Sequence, residues 1–250
     1  FEINEQSLRL GLTIGSCRAP EDGQDSSVLF QRLESALYSA KRLGRNHSLR
    51  FCPALDKQDN PQLALVSDLR AALISGDQLE LHYQTQHHPG SGELVGMEAL
   101  LRWPHPIKGY ISPARFIPLA EATGQIMPIS EWVLQRACKD MLKLQRSGLG
   151  ELRVGVNLSP LQFHRDSFLA TLRQTLLDTG LPAEQLALEL TEGILMDNTD
   201  AAINILNELH TMQVSVSIDD FGTGYSSLSY LKHLPISTIK IDRSFISEIT

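Results

Sequence analysis

The chain has 250 residues, 42% of them hydrophobic and 20% charged, with a formal net charge of −7 and a mean hydropathy of −0.11. That composition suits a globular protein with a sizeable apolar core, and no apolar run approaches the ~20 residues a membrane helix needs. The acidic balance carries no basic footprint for a DNA or RNA polymer, so an anionic ligand must be held by metal ions or by a few well-placed Arg and Lys side chains.

Residues 8–18 (LRLGLTIGSCR) read as a strand and APEDGQD as a loop. Across 26–43 the residues Leu29, Leu33, Ala36, Leu37, Ala40 and Leu43 follow helical spacing, with Ser26 or Ser27 as cap and Gly44 as stop. RFCPALDKQDNPQ reads as a domain junction, and a helix over 63–75 ends at Gly76. From there strand-like runs at 79–85, 94–103, 152–158, 186–191, 214–219 and 237–242 alternate with helical stretches at 113–123, 129–146, 165–179, 199–212 and 225–233. This alternation predicts an α/β domain with a largely parallel sheet. Six strands fall short of the eight in a closed barrel of about 250 residues, so either the sheet is open or the chain stops before closure. Cys17, Cys52 and Cys138 form no CxxC pair and read as free or buried thiols of a reducing, cytoplasmic compartment.

Strand residues alternate faces, so parity sorts the side chains. Val154, Val156 and Leu158 oppose Gly155, Asn157 and Ser159; Leu186, Leu188 and Leu190 oppose Ala187 and Glu189. Val214, Val216 and Ile218 oppose Ser215, Ser217 and Asp219, while Ile239 and Ile241 oppose Thr238, Lys240 and Asp242. Glu98 is in phase with Leu100 and Arg102. Each strand thus has a face suited to helices and an opposite face ending in a polar residue. In parallel strands those ends share the C-terminal edge, where α/β proteins build sites. Glu98, Asn157, Glu189, Asp219 and Lys240 are therefore expected to converge. Three carboxylates and an amide oxygen suit a hard divalent cation such as Mg²⁺, Mn²⁺ or Ca²⁺. Asp220 has the wrong parity for that face, but it precedes FGTG, where Gly222 and Gly224 permit a turn that brings both aspartates to the mouth. Adjacent carboxylates are tolerable when cations neutralise them, as in two-metal phosphoryl chemistry. Lys240 is placed to orient water or a phosphate oxygen, the structural alternative being an ion pair with Asp219.

LHYQ…MEALLRW, VNLSPLQF, ELTE, SIDDFGTGYSSLSYLKHLP and IKIDRSF, in this order and spacing, resemble the EAL-domain cyclic-di-GMP phosphodiesterases across 79–250. The resemblance implies a TIM-like (β/α) barrel with an antiparallel first strand and Mg²⁺- or Mn²⁺-dependent opening of cyclic di-GMP to linear pGpG. It assigns one metal to Glu98, Asn157, Glu189 and Asp219 and a second to Asp219 and Asp220. It assigns the attacking water to Lys240 and nucleotide contacts to Gln84, Arg102 and Asp242. It also implies a homodimer through the barrel, with the 222–228 loop coupling metal binding to dimerisation. Thr85 stands where the family often has proline. A further glutamate that completes the second metal site, and a glutamine, fall beyond Thr250. The barrel is therefore expected to be truncated before its last strands, and the chain to bind one metal poorly or to be inactive. ALYSAKRLGRN and TIGSCRAPEDG make 8–58 similar to the closing portion of a GGDEF diguanylate cyclase domain without its glycine-acid signature. The implied division is 1–58 GGDEF-like, 59–78 linker and lead-in helix, and 79–250 EAL.

Other residues carry blander expectations. His87 and His88 sit in a Pro/Gly loop, His82 alternates with apolar neighbours and can line the barrel floor, and RWPHP reads as a strand leaving into a proline-fixed loop. Glu192 opposes Glu189 in parity and is expected to support rather than ligate. Ser226 and Ser227 read as a helix cap. The rival to an enzyme is a non-catalytic cyclic-di-GMP receptor or interaction module, against which the intact set of acids plus Lys240 argues.

Overall fold

A computed structural model describes residues 2–3, 6–7, 11–42, 44, 46–53, 61–196, 199–222 and 234–245. It divides into two compact units, Phe1–Asp68 and Leu69–Thr250, and the division falls inside the helix Pro61–Ser75.

The larger unit is built on a seven-stranded sheet. Its strands are β1 (Glu80–His87), β2 (Leu94–His105), β3 (Gly109–Ile111), β4 (Arg153–Asn157), β5 (Leu186–Thr191), β6 (Ser215–Phe221) and β7 (Thr238–Ile241). The order is β7-β6-β5-β4-β2-β1, with β3 paired to β2. β1 lies antiparallel to β2, from Glu80 opposite Arg102 to His87 opposite Leu94. The pairs β2–β4, β4–β5, β5–β6 and β6–β7 are all parallel. The crossovers carry helices α1 (Pro113–Thr123), α2 (Ile126–Leu144), α3 (Phe168–Thr179) and α4 (Thr199–Thr211).

Local chemistry explains the helix ends. α1 starts with Pro113, whose missing N–H would be unsatisfied in any first turn, behind an extended Ser112. α3 stops at Gly180, whose φ of 77° is a left-handed cap and whose N–H donates to the Leu176 carbonyl. The helices pack on the predicted apolar face: Val154, Val156, Leu186, Leu188, Leu190, Val214, Val216 and Ile218 are all buried. Facing them are Val133, Ala137 and Met141 of α2, Leu172 of α3, and Leu206 and Leu209 of α4, likewise buried. Each such leucine or valine contributes about 1.5–3 kcal/mol by leaving water, so the alternation of these strands holds their register. On β7 the corresponding Ile239 and Ile241 are exposed.

Several boundaries differ from expectation, and α3 begins at Phe168 rather than at 165. β2 does not leave the sheet at Trp103 but continues to His105, with Pro104 paired to Tyr110 of β3. His105 closes this hairpin, its Nδ1 accepting the N–H groups of Ile107 and Lys108 at 3.1 Å each. α2 begins three residues earlier than its periodicity predicts, at Ile126, and its C-terminal end runs into a wider turn over Gln145–Leu149. The helix expected at 225–233, with Ser226 and Ser227, lies outside the described residues.

In the smaller unit the helix Ser26–Arg42 covers a parallel pair, Ile14–Ser16 and Ser48–Arg50; a second, antiparallel pair joins Glu2–Ile3 to Gln6–Ser7. The described strand within 8–18 is only Ile14–Ser16. Helix and strand approach so closely that a Cβ on Gly15 would stand 2.4 Å from the Leu37 nitrogen, so only glycine fits. Among the described residues, no helix is long and apolar enough to cross a membrane.

Candidate active site

Parallel register brings the polar strand ends together. Glu98 of β2 sits opposite Gly155 of β4, Asn157 of β4 opposite Glu189 of β5, and Asp219 of β6 opposite Thr191 of β5. Carboxylate oxygens of Glu98, Glu189 and Asp219 lie within 4.8 Å of one another. Lys240 reaches in from β7: its Nζ donates to Glu98 Oε2 at 2.8 Å and to Glu189 Oε2, and stands 3.8 Å from Asp219 Oδ1. Asn157 Nδ2 donates to Glu98 Oε1 at 2.9 Å, which leaves the Asn157 carbonyl oxygen able to accept.

Burial and charge pull these groups apart electrostatically. Glu189 is 3% exposed, and burial pushes its carboxyl up to about 7 despite the Lys240 hydrogen bond. For Glu98, burial also favours the neutral form, but hydrogen bonds from Lys240 and Asn157 outweigh it and hold the group below the usual carboxylate range. Burial works against the charge of Lys240, yet its bonds to Glu189 and Glu98 keep the ammonium above its ordinary value. The cluster therefore holds three acids around one firmly charged cation.

Asp220, exposed and outside the group formed by Glu98, Glu189 and Asp219, sits at a backbone irregularity. The pairing of β6 with β7 slips between Ile218 and Phe221, and Asp220 has φ 51°. A left-handed residue at a bulge breaks the two-residue alternation, and Asp is one of the few side-chain-bearing residues that tolerates it. Partial burial, then the charges of Asp219 and Asp242, raise the Asp220 carboxyl. Next in the chain, the Gly222 N–H donates to Glu192 Oε2 at 3.2 Å, and Glu192 is buried. The expected supporting residue thus ties the turn after the aspartates to the end of β5.

The remaining predicted residues surround the cluster without joining it. Gln84 is exposed and pairs in register with Glu98. Arg102 is half-buried, its Nη1 donating to the Leu101 carbonyl at 2.9 Å. Asp242 is half-buried; hydrogen bonds from the Ser244 hydroxyl and N–H hold its carboxyl below the usual range. His82 shares the Gln84 face but is exposed, bonded to Glu80 at 2.9 Å, and His87 and His88 are exposed in their loop. A cavity of about 470 Å³ opens beside the cluster, lined by Arg102, Glu121, Ile129, Asn157, Ser159 and Pro160. Its wall contains a pair that sequence reasoning missed, the Ser159 hydroxyl donating to Glu121 Oε1 at 2.9 Å. The two residues are 38 positions apart, and no local spacing signals their contact.

The atoms able to ligate a cation are oxygens, from Glu98, Glu189 and Asp219 and from the Asn157 amide, and three acids exceed the one ammonium. Both features fit a hard divalent ion, so the chemistry of the residues agrees with the cation expected from the sequence.

Residues 66–250 match the family model described as EAL domain. The chain is 44% identical over 249 residues to the bifunctional diguanylate cyclase/cyclic di-GMP phosphodiesterase MucR of Pseudomonas aeruginosa, covering 100% of this chain and 36% of that protein. It is 35% identical over 249 residues to the cyclic di-GMP phosphodiesterase PdeR of Escherichia coli, covering 100% of this chain and 37% of that protein. The chain thus spans little more than a third of the length of these relatives. Among solved structures it resembles the PaMucR phosphodiesterase in complex with c-di-GMP, with a TM-score of 0.71 and 48% identity over 74% of this chain and 75% of that one. The FimX EAL domain from Pseudomonas aeruginosa bound to c-di-GMP gives a TM-score of 0.66 at 25% identity, covering 74% of each chain. With its motifs, its mixed α/β sheet and this match over most of its length, the chain belongs to the EAL-domain family.

Proposed function

We propose that this protein is a phosphodiesterase that opens cyclic di-GMP to linear pGpG by attack of water on phosphorus. The observation that carries the reading is the meeting of Glu98, Glu189 and Asp219 within 4.8 Å around Lys240, at the C-terminal edge of the sheet. Relatives and structural neighbours named for cyclic-di-GMP hydrolysis or binding support the substrate class.

In this reading Glu98, Asn157, Glu189 and Asp219 hold one Mg²⁺ or Mn²⁺, and Asp219 with Asp220 holds a second. When bound, such ions supply Lewis-acid charge that acidifies water and neutralises phosphate oxygens. The chain's own groups do the rest. Lys240 keeps its proton and donates a hydrogen bond that orients the water or steadies a phosphate oxygen. Arg102 turns its guanidinium from the Leu101 carbonyl to grip a phosphate with two parallel bonds. Gln84 and Asp242 contact the nucleotide from β1 and from the end of β7. The oxygen of water bonds to phosphorus, the bond from phosphorus to the ribose 3′ oxygen breaks, and that oxygen leaves as a hydroxyl after taking up a proton.

The sheet is read as an arc of a TIM-like barrel whose lumen is the polar face, supported by the antiparallel β1 and by helices on the opposite side. Residues 1–58 are read as GGDEF-like, supported by alignment of the whole chain with a protein named bifunctional, and two copies are read as pairing through the barrel. The test of function is the appearance of pGpG by chromatography: Glu98→Ala and Asp219→Asn each abolish it. Full turnover by both variants would remove the assignment, and nucleotide binding in Mg²⁺ without any hydrolysis by the unmodified protein would make it a receptor.

A further inference from the structure

The face of β2 that carries Glu98 continues past Arg102. Residues directly opposed in an antiparallel ladder share a face, and every second residue along a strand returns to it. Glu80, His82 and Gln84 of β1 oppose Arg102, Leu100 and Glu98, and Tyr110 of β3 opposes Pro104. Tyr110 therefore lies on the polar face, diagonal to Arg102, a separation of about 7–8 Å in such ladders. The other face is closed: Trp103 and Ile111 are buried there, with the Trp103 ring edge-on to Phe116 of α1 at 5.4 Å between centroids. Tyr110 itself is 63% exposed, yet it is held at its far end. Its hydroxyl donates to Glu80 Oε1 at 2.6 Å, and His82 Nε2 bonds the same oxygen at 2.9 Å. The rings of Tyr110 and His82 meet edge-on, 6.1 Å between centroids. A single exposed aromatic needs no explanation, but one fastened in place beside a guanidinium on the face of the acid cluster does.

We propose that Tyr110 is a substrate-binding residue whose exposed ring stacks on one guanine of the dinucleotide, next to the phosphate gripped by Arg102. The inference rests on the function proposed above and deepens it by naming a base contact. Cyclic di-GMP offers two anionic phosphates and two flat purines. A guanidinium and an aromatic plane side by side match one phosphate and a base joined to it through ribose. Stacking accepts any base, since each has a π face, so Tyr110 supplies affinity rather than a choice among bases. The bond to Glu80 fixes the ring beforehand, and less side-chain freedom is lost when the base arrives. Arg102 lies four residues beyond Glu98, about 13 Å along the strand, so the stacked base is remote from the acid cluster. Such a contact is equally strong before and during the reaction, and its loss raises KM without lowering kcat.

The experiment is steady-state hydrolysis of cyclic di-GMP in Mn²⁺, with pGpG followed by chromatography, for the wild type, Tyr110→Leu, Tyr110→Phe and Tyr110→Trp. The leucine variant raises KM about tenfold, the factor expected for one lost base stack, with kcat within about twofold of wild type. Tyr110→Phe keeps the ring and loses only the bond to Glu80, so its KM rises by less than about threefold, and Tyr110→Trp stays close to wild type. A role confined to the hairpin acts through the hydroxyl, and it would make phenylalanine as harmful as leucine; that result overturns the inference. So does a wild-type KM in the leucine variant, which leaves the phosphodiesterase reading intact. A leucine variant that does not fold also overturns it, because the ring would then be a structural requirement. A wild type that forms no pGpG removes the proposed function and this inference with it.

Discussion

Replacing Lys240 with methionine keeps the apolar stem and removes the one ammonium shared by Glu98, Glu189 and Asp219. At an effective dielectric of about 20, a unit pair at the 2.8 Å Glu98 distance attracts by about 6 kcal/mol and one at the 3.8 Å Asp219 distance by about 4 kcal/mol. Desolvation of the ammonium offsets much of that, and Glu189 relieves part of the rest by taking up a proton. What survives is the cost of leaving carboxylates without their partner, about 3–5 kcal/mol for a buried pair. For a domain of this size, that lowers the melting temperature by about 6–20 °C. A divalent cation replaces the missing charge, so saturating Mn²⁺ erases most of the difference. Turnover stays depressed by about 10²–10⁴-fold, because the oriented donor is gone. The assay is a thermal melt of wild type and Lys240→Met in EDTA and in Mn²⁺, with pGpG formation followed alongside. Equal melting temperatures in EDTA, or wild-type turnover restored by Mn²⁺, would refute the reasoning.

Two further outcomes follow from the same site. Because the Glu189 carboxyl sits at about 7 rather than in the ordinary range, its contribution to metal-free stability is fully present at acid pH and is lost as pH rises through about 7. Proton and cation compete for it, so Mn²⁺ affinity climbs with pH by up to about tenfold per unit and levels off above about 7; calorimetric affinities that stay flat from about pH 5.5 to about pH 8 contradict this. At Asp220, φ 51° makes the backbone selective among neutral replacements: Asp220→Gly and Asp220→Asn are more stable than Asp220→Ala by about 1–2 kcal/mol, and Asp220→Val is worse still. Urea titrations in EDTA measure the series, and a valine variant as stable as the glycine one would mean the bulge does not require a left-handed residue.

Much of this site was legible in the sequence because strand alternation is a property of the backbone alone. Val154 and Val156 against Gly155 and Asn157, or Leu188 and Leu190 against Glu189, sort themselves by a two-residue period that needs no knowledge of neighbours. The same rule placed Glu98, Asp219 and Lys240 on one face, and parallel pairing then had to gather them at one edge. It misjudged Trp103–His105, where Pro104 suggested an exit but the β3 hairpin continues the strand. At Asp220 the two-residue period breaks, since the register slip and the left-handed backbone there are set by how β6 meets β7.

The order of strands and helices, the apolar face and the set of converging acids were thus determined by the sequence itself, since periodicity and turn chemistry act over a few residues. Only the tertiary structure decided that Glu121 would meet Ser159, that Glu192 would hold Gly222, and that Glu189 would rest over Gly155. Those contacts join residues tens of positions apart, and the chain settles them through packing and charge once the sheet has formed.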